Sequence, residues 1–509
     1  MDKIVRGIRA NRAFYHWLVD CAEALTRQGE WEAALQFCNK AAWHATFCFS
    51  GFYAEARLER LLARLRAVTG ITPIARIAST KPRRVLHYAT ALFEVGGHTR
   101  LLENWIRHDP DSCHDVLLTR QTEPVPAFIT AAAASTHGKV ILLDEVSDFE
   151  KARQLAGIAA QYDVIVLHHH PDDVVPVLAL ADAGRQVPVC VLNHGDHRYW
   201  PGVSVCDVLL EIRDNLVPVD AERRGIRNFG LLPIPVVPQV VPAGAYEEAR
   251  AALGIRQEQV MLLSIGAAYK YEPLDERDFF ADALTMLKQC PEATLVVVGV
   301  APESELGTRY SHPRLRLVPP TPELAVYHYA CDIYLEGYPF SSFTAYLEVA
   351  ALGKPVCRMY DPPLLNTYLI SHYPEPVHYP ASRFEWLNQI RNLVQDAEAR
   401  ATAGQNEQRN SRVHAPEAVR QYIKRIYEQA VAAAGNASQN TIPATCFTGA
   451  NDSYLYRMQY RPTEKAVLHP LTRLSSFLKV WLVSRNLPLL LAQPHLGVRD
   501  LLWFVFKSK

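Results

Sequence analysis

A chain of 509 residues is longer than one ordinary hydrophobic core serves, so two or three domains are expected. With 49% apolar and 21% charged residues it has the profile of a folded globular protein, and 53 Lys and Arg against 53 Asp and Glu leave no whole-chain basis for a nucleic-acid partner. The ten cysteines form no CxxC pair and no zinc-spaced cluster, the N-terminus lacks a signal peptide's apolar stretch, and no run of about 18 apolar residues occurs; the expectation is a cytoplasmic protein that does not cross a membrane.

In chain order, residues 1–78 show helical spacing and no strand signal. Leu25, Gly29 and Ala34 within ALTRQGEWEAALQFCNKAAW resemble half of a tetratricopeptide unit. The segment reads either as a helical hairpin docked on the next domain or as a protein-binding repeat. Residues 79–235 follow with apolar runs at 85–87, 116–118, 140–143, 164–167, 189–192 and 208–210, separated by helical stretches. Runs apolar on both faces, alternating with helices, predict a parallel sheet. Pro233, Pro235, Pro238 and Pro242 make 231–245 an extended linker. A second series over 246–435 places strands at 261–265, 295–298, 315–317, 333–335 and 355–357. The expected class is α/β, two Rossmann-like domains facing a cleft, with an N-terminal helical segment and a C-terminal tail over 436–509.

Three stretches carry the chemistry. YLEGYPFSSFTAYLEVAALGKPV, residues 334–356, reads as strand end, loop, and a helix beginning near Ser341 whose first turn offers the hydroxyls of Ser341, Ser342 and Thr344 with free backbone N–H groups. Such a terminus holds a diphosphate, and Glu348 further in is placed to accept from ribose hydroxyls. Upstream, SIGAAYKYEP brings Gly266 and Lys270 to the end of that domain's first strand. In the first domain Gly96 and Gly97 let backbone approach a ligand, and His98 reads as a substrate contact or a helix cap. LNHGDHRYW offers His194, Asp196 and His197 as general bases, Asn193 as an acceptor contact and Trp200 as a sugar-stacking platform. The same residues, with His168, His169, His170, Asp172 and Asp173, could alternatively hold a metal.

The 334–356 block, taken with the two-domain layout, resembles the donor-binding segment of GT-B glycosyltransferases, both the retaining family 4 and the O-GlcNAc-transferase-like inverting family. The resemblance implies transfer of a sugar from a nucleotide-diphosphate sugar, with Lys270 on the donor phosphates and no metal or other cofactor. Gly266, Ser341, Ser342, Thr344 and Glu348 would then be donor contacts. Gly96, Gly97, Asn193 and Trp200 would face the acceptor, and an inverting base would come from His98, His194, Asp196 or His197. The retaining family carries two glutamates at the positions held here by Phe340 and Glu348, so both stereochemical outcomes stay open. The expected acceptor is a bacterial cell-surface or lipid-linked glycan, and the alternatives are a protein O- or N-glycosyltransferase or a nucleotide-sugar 2-epimerase on the same fold. Residues 451–509 hold nine Lys and Arg against three Asp and Glu, and Leu471, Leu474, Phe477, Leu478, Trp481 and Leu482 recur at helical spacing. That tail reads equally as a peripheral segment on an anionic membrane surface or as packed structure.

Overall fold

The structure, a computed structural model, describes residues 2–71, 82–94, 96–144, 147–182, 184–237 and 240–458. The amphipathic stretch of the tail, 471–509, lies outside them. The described residues divide into two compact units, the first drawn from 2–212, 216–232 and 422–458 and the second from 213–215 and 233–421.

The first unit opens with α1 (Asp2–Arg27), α2 (Trp31–Phe47) and α3 (Ala56–Val68). Helix α3 starts where Glu55 accepts the N–H groups of Arg57 and Leu58, and it buries Leu58, Leu61, Leu62 and Leu65, the spacing of one helical face. There follow β1 (Arg83–Ala89), α4 (Gly97–His108), β2 (Ser112–Leu118), α5 (Ala127–Ser135), β3 (Val140–Leu142), α6 (Asp148–Ala159), β4 (Val164–His168), α7 (Val175–Leu180), β5 (Val189–Leu192), β6 (Val208–Glu211), α8 (Val217–Arg224) and β7 (Phe229–Leu231). The strands make one parallel sheet in the order β3-β2-β1-β4-β5-β6-β7. Phe14, Leu18, Leu35 and Leu62 of the N-terminal helices share one core with Leu86, Ile165 and Val191 of the sheet. Strand β7 was not anticipated: three residues, a buried glycine between two half-buried neighbours, beside a proline run carry no periodic signal.

The second unit runs α9 (Ala245–Ala252), β8 (Val260–Ile265), α10 (Phe279–Gln289), β9 (Ala293–Val298), α11 (Glu305–Arg309), β10 (Leu315–Val318), α12 (Ala325–Ala330), β11 (Ile333–Leu335), α13 (Phe343–Ala351), β12 (Val356–Cys357), α14 (Arg383–Gln395) and α15 (Ala397–Ser411). Its parallel sheet has the order β10-β9-β8-β11-β12. The described residues of the predicted linker, 232–237 and 240–244, form no helix or strand, in keeping with Pro233, Pro235 and Pro242. Helix α16 (Pro416–Ala432) and α17 (Ala450–Met458) close the described chain, and the described residues from Tyr422 onward belong to the first unit. There Asp452 of α17 accepts from the Tyr53 hydroxyl at 2.9 Å and from Arg223 at 2.6 Å. Among the described residues no helix is long and apolar enough to cross a membrane.

Candidate active site

In an open parallel sheet a crevice forms beyond the strands' C-terminal ends, where the strand order reverses. In the second unit that point lies between β8 and β11. Past β8 come Gly266 and a short 3-10 turn, Ala268–Tyr271, that carries Lys270; past β11 come Glu336, a loop, and α13. Lys270 Nζ lies 3.1 Å from both the Ser341 carbonyl oxygen and Ser342 Oγ, and 5.3 Å over the Phe340 ring. Burial pushes the ammonium down to about 8. It is therefore a cation with few compensating charges, the state in which an incoming anion binds best.

The loop is shaped by Glu336, which sequence reasoning passed over. Its carboxyl is fully buried, accepts the Ser341 hydroxyl and takes the Met359 N–H at 2.9 Å, while burial raises it above the usual carboxylate range. The helix expected to begin near Ser341 starts at Phe343. Ser341 belongs to the loop because its hydroxyl is committed to Glu336 and its carbonyl to Lys270, and α13 begins at Phe343. Ser342 sits at the N-cap yet makes no side-chain bond to the helix, and Thr344 is exposed in the first turn. The only available signal for Glu336 was an acidic residue directly after an apolar strand. Gly266 allows the close approach: a Cβ there would stand 2.9 Å from Ser342 Oγ and 3.1 Å from the Tyr271 hydroxyl. Glu348, on α13, is half-buried, and burial raises its carboxyl to about 7.

In the first unit the order reverses between β1 and β4. Gly96 caps α4 at φ 145°, a backbone region that favours glycine, and Gly97 is exposed beside it. His98 Nε2 lies 2.8 Å from the His168 carbonyl oxygen. A carbonyl only accepts, so His98 carries its proton on Nε2 and presents a bare Nδ1. Its ring lies 4.4 Å from that of His194, at the end of β5. Burial, then the neighbouring His170, lowers His98 to about 4; burial, then His98, holds His194 well below the usual histidine value. Both rings are neutral at pH 7, as a proton acceptor must be.

The other nominated residues have structural partners. His197 donates from Nδ1 to Asp196 Oδ1 at 3.1 Å and accepts at Nε2 from Arg198 at 3.1 Å, so neither nitrogen is left for a substrate proton. Asn193 is buried, donates to Glu211 at 2.9 Å and Asp220 at 3.0 Å, and accepts from Trp200 Nε1 at 3.2 Å. Trp200 is 3% exposed, with the Arg224 guanidinium 4.4 Å over its ring. Neither serves as the open acceptor contact or stacking platform expected, because the buried Asp220–Arg224 pair of α8 draws both into the core. Asp173 is likewise interior, accepting the hydroxyls of Tyr88 at 2.8 Å and Thr90 at 2.6 Å. His169 binds the Pro201 carbonyl at 2.9 Å. Among the described residues no group of three His, Cys, Asp or Glu converges as a metal would require.

Behind His98 runs a line of fully buried imidazoles. His168 Nε2 is 3.0 Å from His87 Nδ1, His87 Nε2 is 2.9 Å from His114 Nδ1, and His114 Nε2 is 3.0 Å from the Asp109 carbonyl and 3.2 Å from its carboxylate. The carbonyl obliges His114 to donate from Nε2, so every ring in turn donates from Nε2 toward Asp109. Tyr427 donates to the same carboxylate at 2.7 Å; despite burial, the bonds from His114 and Tyr427 keep Asp109 below its ordinary value.

No family model matches the chain, and no curated protein matches it. Solved structures do. HepE from Anabaena, in complex with UDP and glucose, is 15% identical, covering 68% of this chain and 99% of its own, with a TM-score of 0.50. An O-GlcNAc transferase mutant from Thermobaculum terrenum is 14% identical over 84% of this chain and 85% of its own, with a TM-score of 0.52. A glycosyltransferase from Rickettsia africae is 10% identical over 69% and 99%, with a TM-score of 0.53. At these identities the likeness is one of fold: the chain has the two-Rossmann-domain fold of GT-B glycosyltransferases.

Proposed function

We propose that this chain is a glycosyltransferase whose second unit binds a nucleotide-diphosphate sugar. The observation that carries this reading is Lys270 Nζ poised 3.1 Å from Ser341 and Ser342 at the start of α13. An ammonium and a helix N-terminus together neutralise the charge that builds on a diphosphate as the glycosidic bond breaks. Thr344 and the backbone N–H groups of the first turn would hold the phosphates, and Glu348 the ribose. In an inverting transfer His98, with its bare Nδ1, is the base that takes the acceptor hydroxyl's proton. The UDP bound to HepE makes uridine the first nucleotide to test. The basic, apolar stretch at 471–509 favours a cell-surface or lipid-linked glycan as acceptor, reached from the cytoplasmic face.

Calorimetric titration of the full chain with UDP, GDP and ADP tests the donor reading. Lys270→Ala is expected to weaken the bound diphosphate by about 1.5–3 kcal/mol, roughly 10- to 150-fold, with the melting temperature unchanged. Equal affinity in both proteins would remove Lys270 from the donor site. Because Lys270 and α13 take the place of a cation, turnover is expected to be the same with and without EDTA; loss on chelation, restored by a divalent ion, would reassign the phosphate contacts.

A further inference from the structure

One side chain of the second unit has no place in the reading above. His328, on α12, is 1% exposed, and neither of its ring nitrogens has a hydrogen-bond partner. An interior imidazole in that condition destabilises the fold relative to an apolar side chain of similar size. Its Nε2 faces Oε2 of Glu348 at 3.9 Å, about 0.7 Å beyond hydrogen-bond range. Glu348 keeps a side chain 35% exposed, and burial raises its carboxyl with no neighbouring cation to offset the effect. Burial alone likewise lowers His328, to about 4, so the ring is neutral and holds one N–H to give. Helix α12 packs on α9 and β8, and Arg250 of α9 is engaged with Asp332 at 2.8 Å, so that charge is already compensated.

An interior imidazole without a hydrogen bond and a partly exposed carboxylate, facing each other across a gap that a small shift closes, are arranged for a second state. We propose that His328 is a positioning residue: its Nε2–H donates to the Glu348 carboxylate when that carboxylate accepts the two ribose hydroxyls of the donor nucleotide. The inference rests on the donor site described above. A carboxylate has about four lone-pair positions, enough for a vicinal diol and one imidazole N–H. Each donated bond favours the ionised form, so ribose and His328 reinforce one another at Glu348. The ligand class that follows is a ribonucleoside diphosphate, selected over its 2′-deoxy counterpart.

The test compares the full-chain protein with His328→Leu and His328→Gln, titrated with UDP, GDP and ADP and with the matching 2′-deoxynucleoside diphosphates. Wild type is expected to prefer ribose by about 10-fold or more. His328→Leu should reduce that preference to about 3-fold or less while holding or raising the melting temperature, since it removes an unpartnered interior polar group. His328→Gln, which keeps an N–H near the position of Nε2, should retain the wild-type preference. A His328→Leu protein that still prefers ribose as wild type does, or a His328→Gln protein that loses the preference equally, overturns the positioning role and leaves the donor site standing. Failure of wild type to bind any of the diphosphates overturns the donor reading itself, and this inference with it.

Discussion

Urea unfolding of this protein is expected to show a steep loss of stability below pH 6.5 to which the buried histidines contribute together, His98, His194 and His328 among them, and in which His87 and His168 form one linked pair. Both are fully buried; burial, then His114, holds His87 well below the ordinary histidine value, and burial, then His87, does the same to His168. A depressed histidine binds its proton in the unfolded chain before it does so in the fold. Its stabilising contribution is therefore complete above about pH 6.5 and is lost as pH falls below that value, by about 1.4 kcal/mol per pH unit for each group. The pair accounts for about 3 kcal/mol per pH unit, a large share of a typical domain's stability. Glu211 acts in the opposite sense, since burial and then Asp220 raise its carboxyl, so the informative quantity is a difference between proteins. His87→Leu strands His168 Nε2 and His114 Nδ1 and should cost about 2–4 kcal/mol at pH 7, yet flatten the acid slope by about 1.4 kcal/mol per pH unit. An unaltered slope would mean that His87 is not the neutral link between its neighbours.

The second large effect is on rate. His98→Ala is expected to lower sugar transfer by about 10²- to 10⁴-fold, the usual contribution of a positioned general base, while the dissociation constant for the nucleoside diphosphate stays where it was. Affinity is preserved because the assigned donor contacts all belong to the other unit. His98→Gln should be as slow as alanine, since it can still donate to the His168 carbonyl but has no basic nitrogen. With burial lowering His98 to about 4, the wild-type rate should be flat through neutral pH and fall only toward that value, as the ring takes up a proton. Variants within a few-fold of wild type would pass the role to His194 or Asp196.

What could be read from the chain alone is what the chain builds locally. Continuous apolar runs alternating with helical stretches identify parallel sheets, because a strand covered on both faces has no polar side to show. The approach of Lys270 to Ser342 could be anticipated for a related reason: a strand end, a turn and a helix N-terminus are each built from short stretches of sequence. The misplacements have the opposite origin. Asn193 and Trp200 are polar and aromatic residues at a strand end, and nothing nearby in sequence shows that Asp220 and Arg224, from a later helix, will bury them. Glu336 became visible only through Ser341 and Met359 folding back upon it. The line of histidines joins three strands whose residues lie 27 and 81 positions apart. Sequence alone decided which residues could hold a charge or a proton; which of them face a ligand was decided by strand order and by the side chains that distant segments bring into contact, because burial and hydrogen-bond partnership are properties of the packed sheet.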